Sequence, residues 1–128
     1  MSMPASAHFA WREFYCPVAK HVIVSDLTMH HIDRLENLRL AFGAPLRVNS
    51  AYRCPEKNAE VGGAERSMHL AFATDIAPTG PVDMAALTVL HKLGQELAFT
   101  GIGRYNTFVH LDCREFIGRS AAEWDNRT

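Results

Sequence analysis

The sequence predicts an α+β fold, a small and mainly antiparallel sheet with helices packed on one of its faces. Three observations lead there. Two long stretches carry apolar residues at helical spacing, one ending near Phe42 and one near Phe99. The apolar runs between and after them are too short to be helices. The last two runs are separated only by Asn106-Thr107, which suits a tight hairpin turn. A length of 128 residues argues for one domain, with residues 1–8 expected to be disordered.

Taken in order, residues 9–17 mix aromatic and charged side chains and read as an irregular arm. Ser25 or Asp26 can cap the first helix, whose apolar positions are Leu27, Ile32, Leu35, Leu38 and Phe42, and Gly43 ends it. Residues 46–49 follow as a short strand bounded by Pro45. Pro55 suits the first turn of a short helix to about Val61, which Gly62-Gly63 break. Residues 70–76 read as a buried strand. Residues 81–99 form the second long helix, with Met84, Leu87, Leu90 and Leu97 on its apolar side and Asp83 near its positive end. Residues 101–105 and 108–112 are two strands, and the C-terminal piece is polar apart from Phe116, Ile117 and Trp124.

Composition narrows the function. Apolar residues make up 48% of the chain, ordinary for a globular fold. The formal net charge is -1 and no like-charged block occurs, which argues against nucleic acid or an anionic membrane as partner. No apolar run is long enough to span a bilayer. Residues 1–8 have neither a basic region nor an apolar run, so no secretory signal is read. Synthesis in the cytoplasm with delivery by other means is then expected. Three cysteines, Cys16, Cys54 and Cys113, are too few and odd for a disulfide framework, and free thiols are the plain reading, a Cys54–Cys113 bridge being the alternative. No Gly-rich phosphate loop precedes a helix, and no cysteine has a matching histidine pattern.

A hydrolytic zinc site needs three protein ligands and one open position, with histidine nitrogen and carboxylate oxygen as suitable donors. Of seven histidines, His8, His21, His30, His31 and His91 fall in loops or helices and read as surface or capping residues. His69 and His110 sit in or beside strands with a carboxylate nearby. His110 and Asp112, two residues apart, project from one strand face. Spacing alone leaves open whether these histidines bind metal or simply hydrogen-bond a neighbouring Asp.

The run Val48-Asn49-Ser50-Ala51-Tyr52-Arg53-Cys54-Pro55, then Asn58, Val61-Gly62-Gly63-Ala64, Ser67-Met68-His69-Leu70 and Ala73-Thr74-Asp75-Ile76, resembles the zinc D-alanyl-D-alanine carboxypeptidase and murein endopeptidase family. Gly101-Ile102-Gly103-Arg104-Tyr105 and Phe108-Val109-His110-Leu111-Asp112 resemble its closing strands, and Trp124 after Arg119 is a weaker echo of its end. The family includes phage endolysins and vancomycin-resistance dipeptidases and shares a fold with the hedgehog signalling domain.

The resemblance implies one zinc ion held by His69, Asp75 and His110, and hydrolysis of an amide in a peptidoglycan stem peptide or cross-link. It implies Arg53 near the reacting carbonyl, where a guanidinium would stabilise an oxyanion. Ser67 would support the ligand loop or touch substrate, and Tyr52 would line the site, with core packing as the alternative reading. Gly62 and Gly63 would serve positive φ or close approach. Two departures stand out. The spacing from His69 to Asp75 is one residue shorter than usual, with Phe72 about where a glycine would be, so the deletion should fall before the strand begins. Thr107 occupies the usual position of the general base, leaving Asp112 as base or as orienter of a ligand, with Glu115 and Glu123 in reserve. The alternatives are a non-catalytic zinc-stabilised binding or phage structural module of the same fold, and a metal-free α+β protein. Oligomeric state and the bond cut are not readable, and a phage or prophage origin is expected beside a bacterial cytoplasmic one.

Overall fold

The computed structural model describes residues 3–128. Its elements are α1 (Asp26–Phe42), β1 (Leu46–Ser50), α2 (Pro55–Glu60), β2 (Thr74–Pro78), α3 (Met84–Glu96), β3 (Gly101–Arg104), β4 (Val109–Asp112) and β5 (Ala122–Asp125), with 3-10 turns at Trp11–Phe14, Met68–Leu70 and Arg114–Ile117. The five strands run in the order β1-β2-β4-β3-β5. Every pairing is antiparallel except β3 with β5. The fold is thus α+β with a mostly antiparallel sheet, as expected.

Local chemistry sets the helix ends. Ser25 accepts the Thr28 amide at the start of α1, and Gly43 closes its end. Asp83 Oδ1 accepts the amides of Ala85 and Ala86, so α3 begins at Met84, later than the apolar pattern suggested, and Met84 itself is exposed. Strand alternation then sorts the sheet into two faces. Ile76, Ile102, Val109 and Leu111 turn toward Ile32, Leu35 and Leu38 of α1 and Leu87 and Leu90 of α3, and all are buried in one core. On the opposite face stand Asp75 of β2, His110 and Asp112 of β4, Gly101 and Gly103 of β3, and Trp124 of β5. Among the described residues, no helix is long and apolar enough to cross a membrane.

Several expectations need correction. Residues 3–8, expected to be disordered, are tied down: Pro4 bridges Ala10, and Glu36 accepts hydrogen bonds from the Ser6 hydroxyl and the His8 amide. Residues 1–2 lie outside the described residues. The strand expected over 70–76 starts only at Thr74, because residues 68–70 coil into a 3-10 turn. Residues 71–73 link that turn to the strand, and Phe72 plugs the core against Phe14 and His31. The polar C-terminal piece contains β5, which an apolar pattern could not reveal, since only Trp124 is large and apolar in it. Its docking depends on Gly103, directly opposite Trp124, where a Cβ would overlap the indole ring. Cys54 lies beside Cys16 and not Cys113, and all three thiols are free.

His31, read as a surface or capping residue, is fully buried between Phe72 and Phe99 with Nε2 2.8 Å from Thr74 Oγ1. Desolvation of the ring holds its pKa down to about 3. The folded protein therefore excludes a proton that the unfolded chain takes up below its ordinary pKa near 6.5. The stabilising difference is complete above that value and is lost as the pH falls through 6.5 toward 3, at a slope of about 1.4 kcal/mol per pH unit. Urea unfolding from pH 6.5 to 4, with a metal chelator throughout, should show a flatter loss for His31→Gln than for the parent protein. Equal slopes would contradict this. Separately, Gly103→Ala should cost about 1–3 kcal/mol by forcing Trp124 off the sheet, read as a lowered urea midpoint with diminished Trp burial.

Candidate metal centre

The site begins with strand register. Asp75 of β2 lies directly opposite His110 of β4, so their side chains share a face and meet. His69 comes from the 3-10 turn before β2. Ser67 starts that turn by accepting the His69 amide, and the Arg53 amide donates to the His69 carbonyl at 2.8 Å. The result is convergence: one donor atom each from His69, Asp75 and His110 lies within 4.8 Å of the others, and all three residues are buried.

Partners behind the imidazoles fix which nitrogen faces inward. His69 Nδ1 lies 2.6 Å from the Ala51 carbonyl. A carbonyl can only accept, so Nδ1 carries the proton and Nε2 points its lone pair at Asp75 Oδ1, 3.2 Å away. His110 Nε2 lies 2.7 Å from Asp112 Oδ2, and Nδ1 lies 3.0 Å from the same Asp75 oxygen. In the neutral ring, Nε2 donates to Asp112 and Nδ1 is left free as a donor atom for a cation. Tetrahedral zinc with bonds near 2.0–2.1 Å separates its ligand atoms by about 3.3 Å. The observed spacings and the two-nitrogen, one-oxygen donor set therefore fit such an ion.

Charges in the cluster are interdependent. Burial pushes the Asp75 carboxyl up, but the neighbouring His110 and His69 side chains outweigh it and hold it well below the usual carboxylate range. For His110 burial lowers the pKa, and the bonds to Asp112 and Asp75 more than reverse this. Asp112 is fully buried. Burial would raise its pKa, yet His110 and Arg114 keep it ionised. Arg114 grips it with Nε on Oδ1 at 2.9 Å and Nη2 on Oδ2 at 2.8 Å. Both oxygens are thus occupied. Gly101, opposite Asp112, supplies the room, since a Cβ there would overlap the carboxylate.

Arg53 is held by Ser50 Oγ at 3.3 Å and Asn58 Oδ1 at 3.5 Å, with Nη2 3.8 Å from Asp75 Oδ2. Asn58 is itself buried and fixed by the Ala64 carbonyl. Gly62 has φ 68°, and a Cβ on Gly63 would overlap Asn58, which gives each glycine its backbone reason. A cleft of ≈ 460 Å³ opens beside the three donors. Arg53, Ser67, His69, Asp75 and His110 line it, together with residues that sequence reasoning left without a role: Tyr105, Phe108, Arg66, Arg114, Arg119 and Trp124. Trp124 packs on the His110 ring at 5.1 Å and donates to Tyr105 Oη at 2.9 Å. The faint signal for this wall was Trp124 and the aromatic pair flanking Asn106-Thr107.

Tyr52, expected to line the site, does not. It is buried beside the His21 ring and outside the cleft, because its segment leaves the sheet there to pack on the N-terminal arm. Glu115 bonds Arg34 and Thr100, and Glu123 bonds Gln95, so both reserve carboxylates lie away from the cleft. Thr107 is exposed on the hairpin turn. Among the described residues lining the cleft, Asp75 is the only carboxylate.

No curated protein matches the chain. The family model described as Peptidase M15 matches residues 7–112, a span that contains all three donor residues and most of the sheet, and the chain belongs to that family of peptidases.

Proposed function

We propose that this protein is a zinc peptidase that hydrolyses an amide bond in peptidoglycan stem peptides or their cross-links. One observation carries the reading: His69, Asp75 and His110 meet at the floor of a cleft, with the outer nitrogen of each imidazole already engaged. His69 Nε2, Asp75 Oδ1 and His110 Nδ1 would hold the ion. Bound zinc supplies Lewis-acid polarisation of the scissile carbonyl and brings the acidity of water near neutral pH. The chain's own residues do the rest. The Ala51 carbonyl and Asp112 orient the imidazoles and raise their basicity. Arg53, braced by Ser50 and Asn58, faces the cleft where negative charge develops on the carbonyl oxygen. Tyr105 Oη accepts from Trp124 and still has its own proton to donate to substrate. Ser67 supports the His69 turn.

Asp112 acts in this scheme as orienter and not as base, since Arg114 and His110 occupy both of its oxygens. A second reading, a zinc-stabilised binding module without turnover, is favoured by a different observation: among the described residues, no carboxylate other than Asp75 lines the cleft to take a proton.

The purified protein should contain about one zinc per chain, held by three protein ligands, and should release new amines from purified peptidoglycan. His69→Ala should lose both the metal and the activity. Zinc bound without amine release would favour the binding module, and cleavage by metal-free protein would defeat both readings. Asp112→Asn should weaken zinc affinity by about 10–100-fold, with kcat recovering at saturating zinc. Unchanged affinity with a collapsed kcat would instead make Asp112 the base.

A further inference from the structure

Outside the metal centre, Cys16 of the N-terminal arm and Cys54 at the start of α2 hold their sulfur atoms 3.2 Å apart. The Cys54 amide also points at Cys16 Sγ, at 3.3 Å. The two residues are 38 positions apart in the chain, so this meeting is a product of the fold. Cys16 is buried, whereas Cys54 is half-buried and open to a small reagent. Cys113 is buried elsewhere, against the Arg34 guanidinium.

We propose that Cys16 and Cys54 form a reversible disulfide under hydroperoxide, a modification that clamps the N-terminal arm to the turn carrying Arg53. The Cys54 thiolate attacks a peroxide oxygen, the O–O bond breaks, and the departing oxygen takes up a proton and leaves as water. Cys54 is then a sulfenic acid. Cys16 Sγ attacks Cys54 Sγ, the S–S bond forms, and the sulfenic oxygen leaves as a second water. In total, two thiols and one hydrogen peroxide give one disulfide and two waters: the sulfurs lose two electrons and the peroxide oxygens gain them. Cys16 is suited to the second step. Burial pushes its thiol pKa up, but the amides of Ala19, Cys54 and Val18 and the Cys54 thiol outweigh this and bring it below the ordinary value. Thiol–disulfide exchange with a dithiol reverses the bond.

The proposal does not depend on the peptidase reading, and its test reads sulfur chemistry alone. The full chain is reduced, treated with hydrogen peroxide, denatured in acid and alkylated with iodoacetamide. The oxidised chain should take up one alkyl group, on Cys113, where the reduced chain takes up three. Tryptic digestion should give a linked pair, residues 13–20 with residues 54–57. Dithiothreitol should restore all three thiols. Oxidation should also raise the melting temperature reversibly, since the bond closes a long loop of the unfolded chain. Cys16→Ser should give no linked pair and leave a Cys54 sulfenic acid that dimedone traps. Three free thiols after peroxide, a bridge to Cys113, or links only between chains would overturn the proposal. The peptide map of the parent chain decides this even if Cys16→Ser fails to fold.

Discussion

The antiparallel pairing of β2 with β4 is the constraint on which the rest depends. It places Asp75 directly opposite His110. Because strand side chains alternate, a slip of one residue in either strand would send its Asp75 or His110 into the hydrophobic core and part the pair. The same register extends across the whole sheet: Ser50, Asp75, His110, Gly103 and Trp124 form one cross-strand row on the face away from α1 and α3. That row runs from the residue that braces Arg53, through two members of the candidate metal centre, to the aromatic wall of the cleft.

Polar burial is resolved by partnership along this axis. Asp75 and Asp112 are carboxylates taken out of water, and each is kept ionised by side chains that are themselves fixed. Asp112 links Arg114 to His110, and Arg114 in turn lies over the Trp124 ring at 5.2 Å. An error at the rim is therefore transmitted to the His110 ring, whose Nδ1 faces Asp75, through two hydrogen bonds. Two glycines of β3 make this possible by leaving room for a carboxylate and an indole where any side chain would intrude.

The path from His69 to Asp75 is set by packing as well as by register. Residues 71–73 form the link between a 3-10 turn and a strand, and no ladder register is set until Thr74. Phe72 turns inward, where Phe14 and His31 surround it, and the loop is held by its burial.

The sequence by itself determined the helices, the hairpin and the three residues that the fold brings together as a candidate cation site. Helix caps and apolar periodicity are local, and the donors stand within recognisable runs. Only the tertiary structure decided the rest. The parallel edge strand β5 is held by pairing with β3 and by the space above Gly103, neither of which leaves an apolar pattern in residues 122–125. Tyr52 left the cleft, and His31 entered the core, because aromatic and imidazole side chains suit either setting and long-range packing chooses between them. The carboxylate at Asp112 could be named from its place two residues after His110, but its task could not. Whether an ionised oxygen is free or occupied depends on partners whose approach the fold alone arranges.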